Sequence, residues 1–305
     1  MDAVTAAPLR VRTGIVVGVV AIGACVAACG VDLGPASPWQ PIDQLSAPLQ
    51  AERSSPESFR VVRPMATDPL RVVTYNTEYG QDPAGLAAAI LGDPELARAG
   101  VFLFQEEESH PTEGESRAAQ LAALLGMGYV YVPARAKGDG THGLAVMSAF
   151  WVDAVEKMDL PLADNGVQRI AVAADVHVGD RTLHIIDIHL ETRLNPRDRI
   201  AQLHPAVIDA AGAVLVAGDF NTNWLTWAGG VPVLAADRDQ APILDSYMAS
   251  LGFDAASAGS GPTERAWGLE FRLDSIYTRG LDARFGGVVR TGPSDHWPMF
   301  IDVKL

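Results

Sequence analysis

Cysteine is almost missing from this sequence. Its 305 residues include two, Cys25 and Cys29, both near the start. The remainder can form no internal disulfide, so packing has to hold it together. Basic residues are scarce too: 23 Lys and Arg stand against 37 Asp and Glu, a formal net charge of −14. Removing residues 1–28, which carry Asp2, Arg10 and Arg12, makes the balance one unit more negative. Such a surface does not attract polyanions at long range, which argues against a high-affinity nucleic-acid binder. It does not exclude a nuclease, because bound divalent cations invert the local field. The apolar run from Gly14 to Ala28 is too short to favour a membrane-spanning helix. After residue 69 there is no internal repeat and no low-complexity tract.

What the first residues do have is the layout of a secretory signal: Arg10 and Arg12, then the apolar run, then small residues. Val26-Ala27-Ala28-Cys29 resembles the lipobox of bacterial lipoproteins, whose cysteine becomes the lipidated first residue of the mature chain. Ile22-Gly23-Ala24-Cys25 is a second candidate, and cleavage with release or a retained anchor are the plainer readings. The expectation is a signal peptide with lipobox over 1–29, lipidation at Cys29, and an extracytoplasmic protein anchored to the membrane, or secreted if the lipobox is unused. Residues 30–69, with recurrent Pro and Ser, read as a tether. Residues 70–305 read as one folded domain.

Within that domain, Leu70 to Asn76, Val101 to Phe104, Tyr129 to Pro133 and Gly143 to Ser148 read as strands. Ile170 to Val178 and Thr182 to Ile188 form a hairpin across Gly179-Asp180. Leu273 to Thr278 and Trp297 to Val303 close the chain. Helices are expected over Asp82 to Leu91, Ser116 to Leu125, Arg197 to Ala211 and Ile243 to Leu251, with a kink or break at Pro205. Hairpin-linked strands mixed with helices, without regular alternation, argue for α+β with two mainly antiparallel sheets face to face and helices outside.

The stretch Val214 to Asn223 is the centre of the reading. Val214 to Ala217 form a buried strand that stops at Gly218, and Asp219 and Asn221 follow, two residues apart on one side of extended chain. An acid there suits Mg²⁺ or a water, and an amide suits a phosphoryl oxygen. An Asp/Asn turn is the plain alternative. Polar residues recur at other strand ends, as Asn76, Glu106, His189, Asp274, Asp295 and His296. Together they supply carboxylates for a hard cation, amides and histidine for a phosphate, and a histidine with an acid to orient it. That is the inventory of metal-assisted phosphate-ester hydrolysis.

In this order the motifs resemble the endonuclease/exonuclease/phosphatase superfamily, which includes DNase I-like nucleases, abasic-site endonucleases, neutral sphingomyelinases and inositol polyphosphate 5-phosphatases. They are Thr74-Tyr75-Asn76, Gln105-Glu106, His142 to Ser148, Ile188-His189-Leu190, Gly218-Asp219-Phe220-Asn221, Arg272-Leu273-Asp274 and Ser294-Asp295-His296. The resemblance implies a four-layer αββα sandwich. It also implies that Glu106 binds Mg²⁺ or Mn²⁺ with Asn76 and Asp295 nearby, and that Asn221 and His189 hold the phosphate. Asp274 would orient His296, and either Asp219 or His296 would handle the attacking water. One departure is Ser148-Ala149, where the family often has Ser-Arg, so a basic contact is missing. Calcineurin-like phosphoesterases need an early Asp-x-His and a later Gly-Asn-His, and this chain has neither.

The implied substrate is a phosphodiester. A nuclease acting outside the cytoplasm stands first, a sphingomyelinase-like phospholipid phosphodiesterase or a phosphatase second. A lipid-anchored binding protein that kept the fold and lost the chemistry is the reading from another class. Nothing in the sequence calls for an obligate protein partner. Trp224 and Trp227 form a rim for an apolar or base-like substrate group, or pack in the core. Glu107 and Glu108 read as a solvated charge run. His177 and His184 read as solvent-facing, and His110 and His204 as structural. His142 lines the cleft or is structural, while Arg169 and Arg193 default to the surface.

Overall fold

The computed structural model describes residues 31–59, 68–164, 166–228, 231–234 and 240–305. The expected signal segment, with Cys25 and Cys29, lies outside them.

Side-chain alternation along the strands decides the layers. In Ile170–Val178, Val172, Ala174 and Val176 share a core with the other sheet, while Ala171 and Ala173 point the opposite way into a second core. The strand Val214–Asp219 divides likewise, Leu215 and Ala217 inward, Val214 and Val216 outward. The second core is closed by Leu203, Ala206 and Val207 of the helix Pro196–Val207 and by Leu244 and Met248 of Gln240–Ser250. The helices Pro83–Gly92 and Arg117–Leu125 bury Leu86, Ile90, Leu121 and Leu125 against the first sheet. This is the α/β sandwich expected from the sequence.

Among the described residues the first sheet has seven strands, in the order Asp282–Val288, Met299–Lys304, Leu70–Asn76, Val101–Ser109, Gly140–Ser148, Gly128–Lys137, Glu52–Arg53. The second has six: Gln40–Pro41, Trp151–Asp159, Ile170–Val178, Arg181–His189, Val214–Asp219, Asp274–Arg279. Each sheet contains one parallel pair among antiparallel neighbours. Leu70–Asn76 runs parallel to Val101–Ser109, and Arg181–His189 parallel to Val214–Asp219. Parallel strands end at the same edge, so Asn76 stands beside Gln105, and His189 beside Asp219. The expected hairpin at Gly179-Asp180 is present, with Gly179 at φ 67°.

Two expectations are corrected, and two long strands were not expected. Residues 31–59 are not a free tether: Gln40–Pro41 and Glu52–Arg53 extend one edge of each sheet, and Ile42 and Phe59 are buried. Pro-rich composition misleads here, because Pro is tolerated on edge strands. Pro205 neither breaks nor ends its helix, which runs from Pro196 to Val207 with Pro205 in its last turn and Pro196 in its first. The strands Trp151–Asp159 and Asp282–Val288 have no counterpart in the sequence reading.

Candidate active site

The polar strand ends converge because the two parallel pairs end opposite one another. Asn76 Nδ2 donates to Asp219 Oδ2 at 2.9 Å, joining the sheets across the site, and its Oδ1 accepts the Glu78 N–H at 3.1 Å. Behind this bridge is a second one, Gln105 Nε2 to Asp187 Oδ1 at 2.7 Å. Full burial pushes the Asp187 carboxyl well above the carboxylate range.

Asp219 is buried and heavily engaged. The Asn221 N–H donates to Oδ1 at 2.7 Å, and Asn221 Nδ2 lies 3.3 Å from Oδ2 and 2.9 Å from the Leu190 carbonyl. Asn221 does this at φ 52°, a left-handed conformation that Asn tolerates better than most residues. Burial raises the Asp219 carboxyl to about 6, with Asp274 adding to the rise and His296 opposing it.

His296 follows the last loop. Its Nδ1 lies 2.9 Å from Asp274 Oδ2, and its Nε2 3.9 Å from Asp219 Oδ2. Asp274 and Asp219 are direct partners in the ladder, which sets this spacing. Burial works against a charge on His296, but Asp274, Asp219 and Asp295 outweigh it and hold the imidazole well above its ordinary range. The serine of the Ser294-Asp295-His296 motif is a tie: its Oγ donates to the Asn76 carbonyl at 2.7 Å and accepts the His296 N–H at 3.1 Å.

Glu106 sits at a β-bulge with φ 64°, which turns its carboxylate out of the ladder and into the cleft. It lies 3.8 Å from His189 Nε2, which is 3.4 Å from Asp219 Oδ2. Arg169 Nη1 lies against the His189 ring, 3.0 Å from Nδ1 and 2.8 Å from Nε2. Burial, and Arg169 after it, push His189 well below the ordinary histidine range, so it is neutral.

The structure thus brings together Asn76, Glu106, His189, Asp219, Asn221, Asp274, Asp295 and His296. They surround or back a cleft of about 210 Å³. Sequence reading missed two of its walls. Glu78 and Tyr79 enter it on a tight turn with φ 49° and 72°, and Glu78 Oε2 accepts the Asp295 N–H at 3.2 Å. Glu264 and Trp267 enter it from the hairpin Glu264–Ala266/Leu269–Phe271. No motif marks either pair; the run of Gly and Ser before Thr263 was the available signal for a loop beside the site. A wider hollow of about 700 Å³, with Ala119, Ala122 and Ala123 on its wall, holds none of these groups.

Several side chains differ from expectation. Trp224 does not line the cleft; it stacks on Phe271 with centroids 5.4 Å apart, while Trp227 does line it. Glu107 and Glu108 are buried, not solvated. Glu107 accepts from Thr77 Oγ1 at 3.0 Å, and burial pushes its carboxyl to about 7. Glu108 is met by Arg117, Lys137, His110 and His142. Arg169 is buried against His189 and Glu191 rather than on the surface. His142 is buried behind the cleft, its ring 6.4 Å from that of His189. His177 and His184 pair with Asp153 and Asp175 at the surface.

One buried cation organises the loops. Arg199, fully buried in the helix Pro196–Val207, donates to the carbonyls of Glu191, Thr192, Leu194 and Phe220 and to Gln240 Oε1. It clamps the chain after His189 to the chain after Asp219, and burial lowers it to about 9.

The donor set fits a hard divalent cation. Glu78, Glu106 and Asp295 face one cleft, and no Lys or Arg lines it among the described residues. Burial raises Glu78 and Asp295, and Glu106 pushes both further. Uncompensated oxygen donors of this kind are what Mg²⁺ or Mn²⁺ requires. Asp219, Asp274 and His296 form a tighter group, with ligand atoms within 4.8 Å of one another. There the imidazole is already hydrogen-bonded to Asp274, which suits proton handling better than ligation.

A profile of the endonuclease/exonuclease/phosphatase family matches residues 73–296. The chain belongs to that family. Members are generally phosphoesterases, and the fold generally uses divalent metals. No curated protein matches this member in sequence. Among solved structures it is similar to a family protein from Leptotrichia buccalis C-1013-b, at 13% identity and TM-score 0.57, over 77% of this chain and 100% of that one. It is also similar to humanized D. rerio TDP2, at 17% and 0.51, over 77% and 99%. A third is the endonuclease domain of the telomere-specific retrotransposon TRAS1, at 16% and 0.50, over 78% and 99%. At these identities the likeness concerns the fold of this family member, and its chemistry has to be read from its own side chains.

Proposed function

We propose that this protein is a divalent-metal-dependent phosphodiesterase acting outside the cytoplasm. The observation that carries the reading is His296, bonded to Asp274 at 2.9 Å and standing 3.9 Å from Asp219 in the lining of an acidic cleft. Glu106, Asp295 and, beyond the sequence reading, Glu78 would hold Mg²⁺ or Mn²⁺. Asn76, whose amide is occupied on both sides, aligns Asp219 and the Glu78 turn. The cation would polarise a phosphoryl oxygen and offset charge developing on it.

The protonation states divide the labour. Asp219, at about 6, is mostly ionised at neutral pH and accepts the proton of the attacking water. His296, whose pKa is raised by Asp274, is placed instead to stabilise the phosphoryl oxygens. Asn221 and neutral His189 position the phosphate without adding repulsion. Every role has an occupant, which speaks against a binding protein that lost its chemistry.

The test is hydrolysis of a chromogenic phosphodiester with Mg²⁺, with Mn²⁺ and with EDTA, in wild type and His296→Ala. Metal-dependent turnover lost in the variant supports the reading; equal turnover in both would sink it. The domain plan proposed with it is a signal peptide over 1–29 and lipidation at Cys29. Mass spectrometry of membrane-extracted protein, with Cys29→Ala as control, checks the lipid.

A further inference from the structure

We propose that the hairpin Glu264–Ala266/Leu269–Phe271 is a specificity subsite for a positively charged group on the substrate's alcohol, with Glu264 supplying the charge and Trp227 and Trp267 the ring faces. This rests on the phosphodiesterase reading above and names the substrate class it serves.

Glu264 starts beside the reacting centre, since its backbone bridges that of His296. It stands opposite Phe271 in the hairpin, so the two side chains share one face, and both line the cleft. Its carboxylate has no hydrogen bond or ion pair among the described residues. Burial raises it to about 7, His296 opposing the rise and Asp295 adding to it. Trp267 is 83% exposed on the rim at φ 52°, a conformation that bulky residues rarely adopt, and Trp227 faces the same space. A carboxylate with ring faces is the chemistry that receives an ammonium group.

Among the described residues, no Lys or Arg lines this cleft to receive a second phosphate. Arg265 is on the other face of the strand, opposite Glu270, which Arg290 binds at 2.9 Å. On the far flank, Lys137 is bound to Glu108, Arg169 lies on His189 and Glu191, and Arg135 has Arg169 and Glu106 as charged neighbours. None of the three lines the cleft. The substrate with this shape is one phosphodiester between a leaving alcohol and a cationic alcohol, such as a choline or ethanolamine headgroup.

The test compares p-nitrophenyl phosphorylcholine with its uncharged isostere, p-nitrophenyl 3,3-dimethylbutyl phosphate. In each, water adds to phosphorus, the P–O bond to nitrophenol breaks, and nitrophenol and the alkyl phosphate form. Wild type should favour the choline ester by about tenfold or more in kcat/KM, mainly through KM, and Glu264→Gln should bring the ratio near one. A wild-type ratio near one, a ratio unmoved in Glu264→Gln, or faster hydrolysis of a thymidine ester overturns the proposal. Phosphatidylcholine vesicles beside the soluble ester separate a lipid headgroup from a free one. Quenching of tryptophan fluorescence by choline, weaker in Glu264→Gln and absent with 3,3-dimethylbutanol, reads the subsite without turnover. If no ester is hydrolysed with any metal, the phosphodiesterase reading fails and the choline titration still decides this one.

Discussion

The floor and the wall of the cleft are built in opposite ways. The floor is carried by strand ends of two large sheets, and its polar atoms hold one another: Asn76 to Asp219, Asn221 to Asp219, Asp274 to His296. The wall is carried by short hairpins outside either sheet, with Trp267 in solvent and the Glu264 carboxylate without a hydrogen bond or ion pair among the described residues. Groups fixed by buried hydrogen bonds can be preorganised for a shared chemistry. Groups on a small hairpin can change without disturbing the core, which is where substrate choice resides.

The sharpest way to break this contrast is on the floor. His296→Ala and Asp219→Ala should each lower metal-dependent turnover by about 10³-fold or more, with circular dichroism unchanged. A loss below about tenfold in both would mean that the floor is a polar core and not the reacting centre.

This division also explains what the sequence made legible. Floor residues sit at strand ends, where an apolar run halts on Asp, Asn or His, so Asp219, His189 and Asn76 stand out by position. Glu78, Glu264 and Trp267 lie on turns whose placement depends on pairings far apart in sequence, such as Glu264 with His296. Burial was misread for the same reason. Glu106-Glu107-Glu108 looks uniform, but the bulge sends Glu106 to the cleft and its neighbours inward. Residues 31–59 carry too little periodicity to show that they extend the sheet edges.

Arg199 tests whether the floor's loops need their clamp. Arg199→Met keeps much of the side-chain volume but leaves four carbonyls without their donor. The expected loss is on the order of 3–5 kcal/mol by denaturant unfolding. A loss under about 1 kcal/mol would show that water or local shifts replace it.

Glu107 sharpens the comparison through pH. Its folded-state value of about 7 lies above the ordinary carboxylate value, so the folded protein binds more protons than the unfolded chain between roughly pH 4.5 and 7. Stability from this group is therefore full at low pH and is lost as pH rises through 7. Glu107→Gln retains an acceptor for Thr77 and removes the ionisation. It should gain about 1–3 kcal/mol relative to wild type at pH 8 and little at pH 5. Gly80 closes the space over this carboxylate, since a Cβ there would lie 2.6 Å from Glu107 Oε2. An unfolding difference that does not change between the two pH values would contradict a buried, proton-binding Glu107.

The smallest effect is expected on the wall, and it separates stability from function. Trp267 and Gly268 form the tip of the hairpin with φ 52° and 78°. Gly holds such angles freely, whereas a tryptophan costs about 1 kcal/mol there, and its ring gains almost no burial in return. Folding alone therefore favours Trp267→Gly, which should keep or raise the melting temperature slightly. Binding favours the tryptophan, so the same variant should raise KM several-fold for the choline ester with little change in kcat. A fall in stability with KM unchanged would place Trp267 with the packing residues and return the wall to the fold.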